Sequence, residues 1–178
     1  MFTDNLKSLT ATALFMLMCL CGMAQHTWQR TFDLGAHAVV MDVTETDFGV
    51  VAVGSTGVLD DRQVFVLAVS SEGDSLWHIT LDAVPGSFET GVAIIPYGDE
   101  FMVLASKNVL ANVKSDLYFV RMNSSGDILW EQQYGAVAEF WEIVNAVPLI
   151  GGTVVLAGNR THTLENDRWF MMEITADG

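Results

Sequence analysis

Cysteine is confined to Cys19 and Cys21, and beyond residue 21 the chain has none. The remainder folds without disulfides, and it offers no thiolate nucleophile or cysteine-ligated metal centre. Basic residues are the second scarcity. Eight Lys and Arg stand against 22 Asp and Glu, a formal charge of −14. A field of that sign repels phosphate backbones and anionic bilayers, which argues against nucleic acid and against stable membrane insertion of the mature chain. Helical periodicity is the third. After residue 24 no segment sustains apolar residues at a spacing of about 3.6. Yet 51% of the chain is hydrophobic, so it is no disordered acidic tail and can bury a core.

The first 24 residues read as a secretory leader. Lys7 gives a basic start, and Leu9 to Met23 is apolar or small. Gly22-Met23-Ala24 places small residues at the peptidase positions, so cleavage is expected after Ala24. The apolar run falls below the ~18–20 residues of a spanning helix, the alternative being an uncleaved N-terminal anchor. Lipidation is disfavoured because Met18 and Leu20 precede the two cysteines. The leader holds one acid, Asp4, and one base, Lys7, so its removal leaves the charge unchanged.

Three landmarks repeat in residues 25–178. A turn and strand, Ser71-Glu72-Gly73-Asp74-Ser75-Leu76-Trp77, returns as Ser124-Ser125-Gly126-Asp127-Ile128-Leu129-Trp130. Val51-Ala52-Val53-Gly54 is matched to Val103-Leu104-Ala105-Ser106 and to Val155-Leu156-Ala157-Gly158. Val64–Val69 corresponds to Leu117–Met122 and to Trp169–Ile174. The copies run approximately over 28–76, 77–129 and 130–178, the last truncated. Such a period marks stacked units that bury a continuous core.

Each copy holds about four strand-like runs. In the middle copy these are Ser75–Leu81, Thr90–Ile95, Phe101–Ala105 and Leu117–Asn123, rich in β-branched and aromatic residues. Pro85-Gly86-Ser87 and Tyr97-Gly98-Asp99 break the chain between runs. Gly73 and Gly126 suit a hairpin turn that needs positive φ. The segment 140–147 has some helical character, but its place in the repeat predicts a strand. The nearly continuous apolar runs of the third landmark predict strands covered on both faces. Trp28, Trp77 and Trp130 each open a strand, and repetition in register assigns them to packing between sheets rather than to a sugar platform. The expected fold is all-β, in tandem four-stranded antiparallel sheets like β-propeller blades, open or incomplete.

At Asp116-Leu117-Tyr118-Phe119-Val120-Arg121-Met122, Gly126-Asp127-Ile128-Leu129-Trp130 and Gly151-Gly152-Thr153-Val154-Val155-Leu156-Ala157-Gly158 the chain resembles secreted bacterial β-propeller-like surface proteins, often cargo of type IX secretion. The resemblance covers roughly 28–178 and implies export, a propeller fold and a surface role. Such proteins usually carry a C-terminal sorting domain, which the resemblance does not reach here. Departures are Asp47-Phe48-Gly49 and Gly98-Asp99-Glu100 where the pattern has Gly-Gly. The pattern's lysine is Ala68, Arg121 and Glu173 in turn, which predicts an exposed position without a shared role. Three repeats ending at the turn glycine Gly178 suggest a piece of a longer chain with further blades, an arc closed by oligomerisation, or an arc that binds another chain.

Chemistry-bearing motifs are sparse. His26, His37, His78 and His162 show no metal-ligand spacing. No Gly-x-Ser-x-Gly elbow or phosphate-binding loop occurs. Asp60-Asp61, Asp99-Glu100 and Glu165-Asn166-Asp167 could hold calcium loosely but lack EF-hand spacing, and solvated loops are the commoner reading. Glu89, Glu139 and Glu142 fall in comparable loop-to-strand regions, where a pair could serve glycoside hydrolysis. Asn123-Ser124-Ser125 and Asn159-Arg160-Thr161 match the glycosylation pattern and carry no weight in a bacterial-looking protein. No catalytic, cofactor-binding or metal residue is assigned. The expectation is a non-enzymatic secreted or surface module for binding, adhesion or scaffolding, with an extracellular protein or glycan as ligand. The alternatives are the propeller part of a carbohydrate-active enzyme and a calcium-dependent adhesion module.

Overall fold

The structure is a computed structural model and describes residues 27–34, 37–58, 61–81, 88–109, 114–135, 139–150, 152–162, 167–175 and 178. Residues 1–24, expected to be a secretory leader, lie outside them, as do His26, Asp60, Pro85-Gly86-Ser87 and Glu165-Asn166. Eleven strands follow one another: β1 (Ala38–Thr46), β2 (Gly49–Val58), β3 (Asp61–Ser70), β4 (Ser75–Leu81), β5 (Phe88–Tyr97), β6 (Glu100–Val109), β7 (Lys114–Asn123), β8 (Ile128–Tyr134), β9 (Glu139–Pro148), β10 (Val154–His162) and β11 (Arg168–Ile174). The segment with some helical character is strand β9, as its place in the repeat predicts. No described helix is long and apolar enough to cross a membrane, which leaves β-barrel spanning unaddressed.

The chain is all-β, with all eleven strands in one open mixed sheet. This corrects the expectation of separate four-stranded sheets. The antiparallel meanders β1–β4, β5–β8 and β9–β11 are present, but single-pair parallel bridges join them, Arg62 to Phe88 and Ser115 to Phe140. Arg62 also lies 4.5 Å over the Phe88 ring, and the Ser115 hydroxyl donates to the Trp141 carbonyl at 2.7 Å. Each bridge is thus reinforced by a side chain.

Side chains of adjacent meanders meet in shared cores. Val51, Val53, Val64 and Val66 of the first meander pack with Phe101, Val103, Tyr118 and Val120 of the second. The second meander's other face, Met102, Leu104, Leu117 and Phe119, packs with Ile143, Val154, Leu156 and Ile174 of the third. Strands β3 and β7 are therefore covered on both faces, as their apolar runs predict. Strand β11 departs from this, with Trp169 79% and Met171 64% exposed.

The faces also correct the alignment of the second landmark. Val51 and Val53 correspond to Met102 and Leu104, which look the same way, not to Val103 and Ala105. Phe101 and Val103 in turn correspond to Val154 and Leu156. A slip of one residue turns every side chain of a strand to the other face, so sequence similarity among Val, Leu and Ala could not fix it. The β1–β2 and β5–β6 turns are short, whereas residues 149–153 separate β9 from β10. That longer turn restores the register.

Bulges recur with the repeat. Met41, Val92 and Val144 are the extra residues where β1, β5 and β9 face β2, β6 and β10. Leu76 and Leu129 are the extra residues of β4 and β8, next to the turns at Gly73 and Gly126. Both glycines have φ of +87°, and the Trp that opens the same repeat lies on each. A Cβ at Gly73 would stand 2.6 Å from Trp28 Cδ2, and one at Gly126 would stand 3.1 Å from Trp77 Cδ2. Trp28 Nε1 donates to the Ser71 carbonyl at 2.9 Å and Trp77 Nε1 to the Ser124 carbonyl at 3.0 Å. Trp130 lies less closely on Gly178, where an added Cβ would stand 3.2 Å from Gln132 Cγ and 3.7 Å from the edge of the Trp130 ring. The tryptophans are packing residues that tie each meander to the turn of the next.

The position predicted as exposed is not so in the first two copies. Ala68 is fully buried. Arg121 bonds Glu100 at 2.5 Å and lies 4.7 Å over the Tyr97 ring, which packs against the turn at Gly152. Only in the third copy does the residue, Glu173, face solvent.

Replacing Gly126 by Ala places a Cβ against the Trp77 ring at a left-handed backbone position. We expect a loss of about 1–3 kcal/mol in urea unfolding, seen as a lower midpoint with an unchanged slope.

Candidate functional site

The three bulges bring β1, β5 and β9 to line one open cleft of about 700 Å³. A bulge bends its strand and re-aims a side chain, and Met41, Val92 and Val144 all line the cleft. The rest of the wall is mixed. Phe88, Phe140 and Trp141 supply rings, while Thr90, Ser106, Asn108 and Ser115 supply neutral hydrogen-bonding groups. The Ser106 hydroxyl has no partner within the described protein.

Trp141 is held from several sides. Its Nε1 donates to Glu139 Oε2 at 3.0 Å, its ring meets Phe170 edge-on at 4.8 Å, and the Arg160 guanidinium lies 5.1 Å over it. Glu139 is 6% exposed and accepts a charge-assisted hydrogen bond from Arg160. That bond, more than any other influence, holds the Glu139 carboxyl below the usual carboxylate range, although burial opposes it. The carboxylate is an anchor for Trp141 and Arg160, fixed in its ionised form.

A second polar group lies buried beside the cleft. Lys107 of β6 stands in register between Glu89 of β5 and Asp116 of β7, and these are 2%, 0% and 2% exposed. Lys107 Nζ donates to Gln133 Oε1 at 3.4 Å, and Gln133 Nε2 donates to Asp116 Oδ2 at 2.6 Å. Tyr118 donates to Glu131 at 2.6 Å. Burial, then this bond, raises the phenol's pKa far above its ordinary range, so it remains a donor. One lysine thus shares a buried layer with two carboxyl groups, linked to Asp116 through Gln133.

Of the three glutamates singled out in the sequence, only Glu142 lines the cleft. Glu89 and Glu139 are turned inward into the contacts above. Among the described residues no group of three or more His, Cys, Asp and Glu could hold a metal ion. His78 is exposed on β4, His37 accepts from Gly57 N through its carbonyl, and His162 lies opposite Glu139. Of the acidic clusters, Glu100 bonds Arg121 and Asp167 accepts from Thr161 at 2.9 Å.

Sequence reasoning missed Phe88, Phe140 and Trp141 as cleft residues. The available signal was the break in alternation at Val39-Val40-Met41, Gly91-Val92-Ala93 and Ile143-Val144, which marks the bulges. Compared with known protein families and with curated proteins, the chain finds no match.

Because the Glu139 pKa is lowered from about 4.5, its contribution to stability is complete above that pH and is lost as pH falls below it. Replacing Arg160 by Met is expected to cost at least about 1 kcal/mol at pH 7 and to flatten the decline below pH 4.5, measured as urea midpoints across pH.

Proposed function

We propose that the chain is a non-enzymatic binding module of a secreted or cell-surface protein, built as an open β-propeller-like arc. Its ligand is a neutral glycan held in the cleft between β1, β5 and β9. One observation carries this reading. The cleft combines Phe88, Phe140 and the pinned Trp141 with neutral donors and acceptors, and its acidic member is Glu142. Flat rings take the apolar faces of sugars, and hydroxyl and amide groups take their edges. A net charge of −14 favours neutral over anionic ligands.

The propeller-like part of the reading rests on three meanders in one repeat and on strands buried on both faces. Export rests on the leader at 1–24, and the type IX route rests on the resemblance of the repeat. The enzyme alternative requires two carboxylates at the reacting bond, and the inward orientation of Glu89 and Glu139 favours binding over it. The calcium-dependent adhesion reading would place its ion among loop acids such as Asp99 and Asp167, and nothing in the geometry prefers it.

Titration of the purified chain with a panel of neutral oligosaccharides, followed by calorimetry, tests the proposal. We expect one of them to bind, with affinity falling at least about tenfold in Trp141→Ala and with no hydrolysis products. Binding unaffected by Trp141→Ala, or turnover lost in Glu142→Gln, would contradict it.

A further inference from the structure

The three meanders meet at two junctions, and the parallel bridges align one junction with the other. Arg62 pairs with Phe88 at the first, as Ser115 pairs with Phe140 at the second. One residue further along, Glu89 stands opposite Lys107, and Trp141 stands opposite Arg160. Ser115 therefore takes the place of Arg62, and Trp141 takes the place of Glu89.

These two differences open the second junction. At the first, the Arg62 guanidinium lies 4.5 Å over the Phe88 ring, and Glu89, Lys107 and Asp116 form a buried layer. At the second, the Ser115 hydroxyl ends on the Trp141 carbonyl at 2.7 Å, and a serine is too short to cover Phe140 as Arg62 covers Phe88. Phe140 and Trp141 line the cleft instead. Apart from Met41, every residue of the cleft wall belongs to the second or third meander. The cleft is thus a property of one junction, independent of what lies beyond the third meander.

One buried hydroxyl of this cleft is unpaired. Ser106 follows Met102 and Leu104 on the face of β6 that looks toward the third meander, and it is 6% exposed. Its Oγ has no hydrogen-bond partner among the described residues. A hydroxyl shut from water and unpaired is unfavourable, and a ligand acceptor placed against it removes that penalty. Its counterpart Ser55 is unpaired as well but lies outside the cleft. Asn108 lies two residues along β6 from Ser106, and Ile143 and Trp141 supply apolar wall. A group that suits this corner carries a carbonyl oxygen, an N–H and a small apolar end together.

We propose that the cleft selects sugars bearing an acetamido group. The Ser106 hydroxyl donates to the acetamido carbonyl oxygen, the Asn108 side-chain oxygen accepts from its N–H, and its methyl lies against Ile143 and the Trp141 ring. A ring hydroxyl in the same place brings no apolar end and leaves a polar partner unpaired. The acetamido group is uncharged, so the chain's charge of −14 does not oppose it. The inference rests on the reading of the cleft as a neutral-glycan site and specifies which glycan it takes.

Two trimers of the same linkage separate the claims: tri-N-acetylchitotriose, and cellotriose, which has a hydroxyl in place of each acetamido group. Calorimetry of the purified chain is expected to give at least about tenfold tighter binding of the acetylated trimer. Ser106→Ala should erase most of that preference by weakening the acetylated trimer and not cellotriose. Ser115→Arg, which fills the second junction as Arg62 fills the first, should weaken both trimers at least about tenfold. Should that variant lose its circular dichroism spectrum, Ser106→Ala alone decides. Equal binding of the two trimers, or a preference that survives Ser106→Ala, would overturn the acetamido assignment and leave the glycan reading in place. Undiminished binding by a folded Ser115→Arg chain would overturn it too. Binding of neither trimer would overturn both readings.

Discussion

The contact on which the rest of this structure depends is a tryptophan ring lying on a turn glycine of the next meander. Trp77 lies so close to Gly126 that an added Cβ would stand 3.1 Å from its ring, and its indole nitrogen ends on the Ser124 carbonyl, so its polar tip is satisfied. The contact sets the distance between neighbouring meanders. At that distance the side chains of β2 and β3 reach those of β6 and β7, and the side chains of β6 and β7 reach those of β9 to β11. Fully burying each Val, Leu or Phe is worth roughly 1.5–3 kcal/mol, so most of the stability lies in these shared layers. Beyond residue 21 the chain has no cysteine, so no disulfide adds to these layers.

Much of this was legible in the sequence. The Ser-x-Gly-Asp turns before Trp77 and Trp130 located the hairpins, and the apolar runs at 64–69 and 117–122 announced strands covered twice. The strand register was not legible, because Val53, Leu104, Ala105 and Leu156 are all acceptable on either face. Ala68 and Arg121 were misjudged for a related reason. A variable residue looks exposed in a sequence, but here the variation accompanies different partners, an apolar core in one copy and Glu100 with Tyr97 in the next. The continuity of the sheet was equally hidden, since Arg62–Phe88 and Ser115–Phe140 are single bridges with no sequence signature.

The cleft was hidden because it depends on three bulges that a repeat search treats as noise. Each bulge adds one residue, and the three extra residues, Met41, Val92 and Val144, line one surface. Two of the three glutamates singled out in the sequence are turned inward. Glu139 holds Arg160 and Trp141 in place, and Glu89 belongs to the buried layer with Lys107 and Asp116. Glu139 of β9 and Arg160 of β10 therefore both join their strands and fix the Trp141 ring at the cleft. Scaffold and site are coupled through Trp141.

If shared cores bind the meanders into one unit, amides of β3 and β7 can open only when the whole chain unfolds. Native-state hydrogen exchange measures this residue by residue. We expect the slowest amides of β2, β3, β6 and β7 to converge on one free energy, equal to that of global unfolding, with β4 and β8 opening earlier. Slowest amides of β3 and β7 that settle at separate values, each meander opening on its own, would contradict a fold held together by what lies between its repeats.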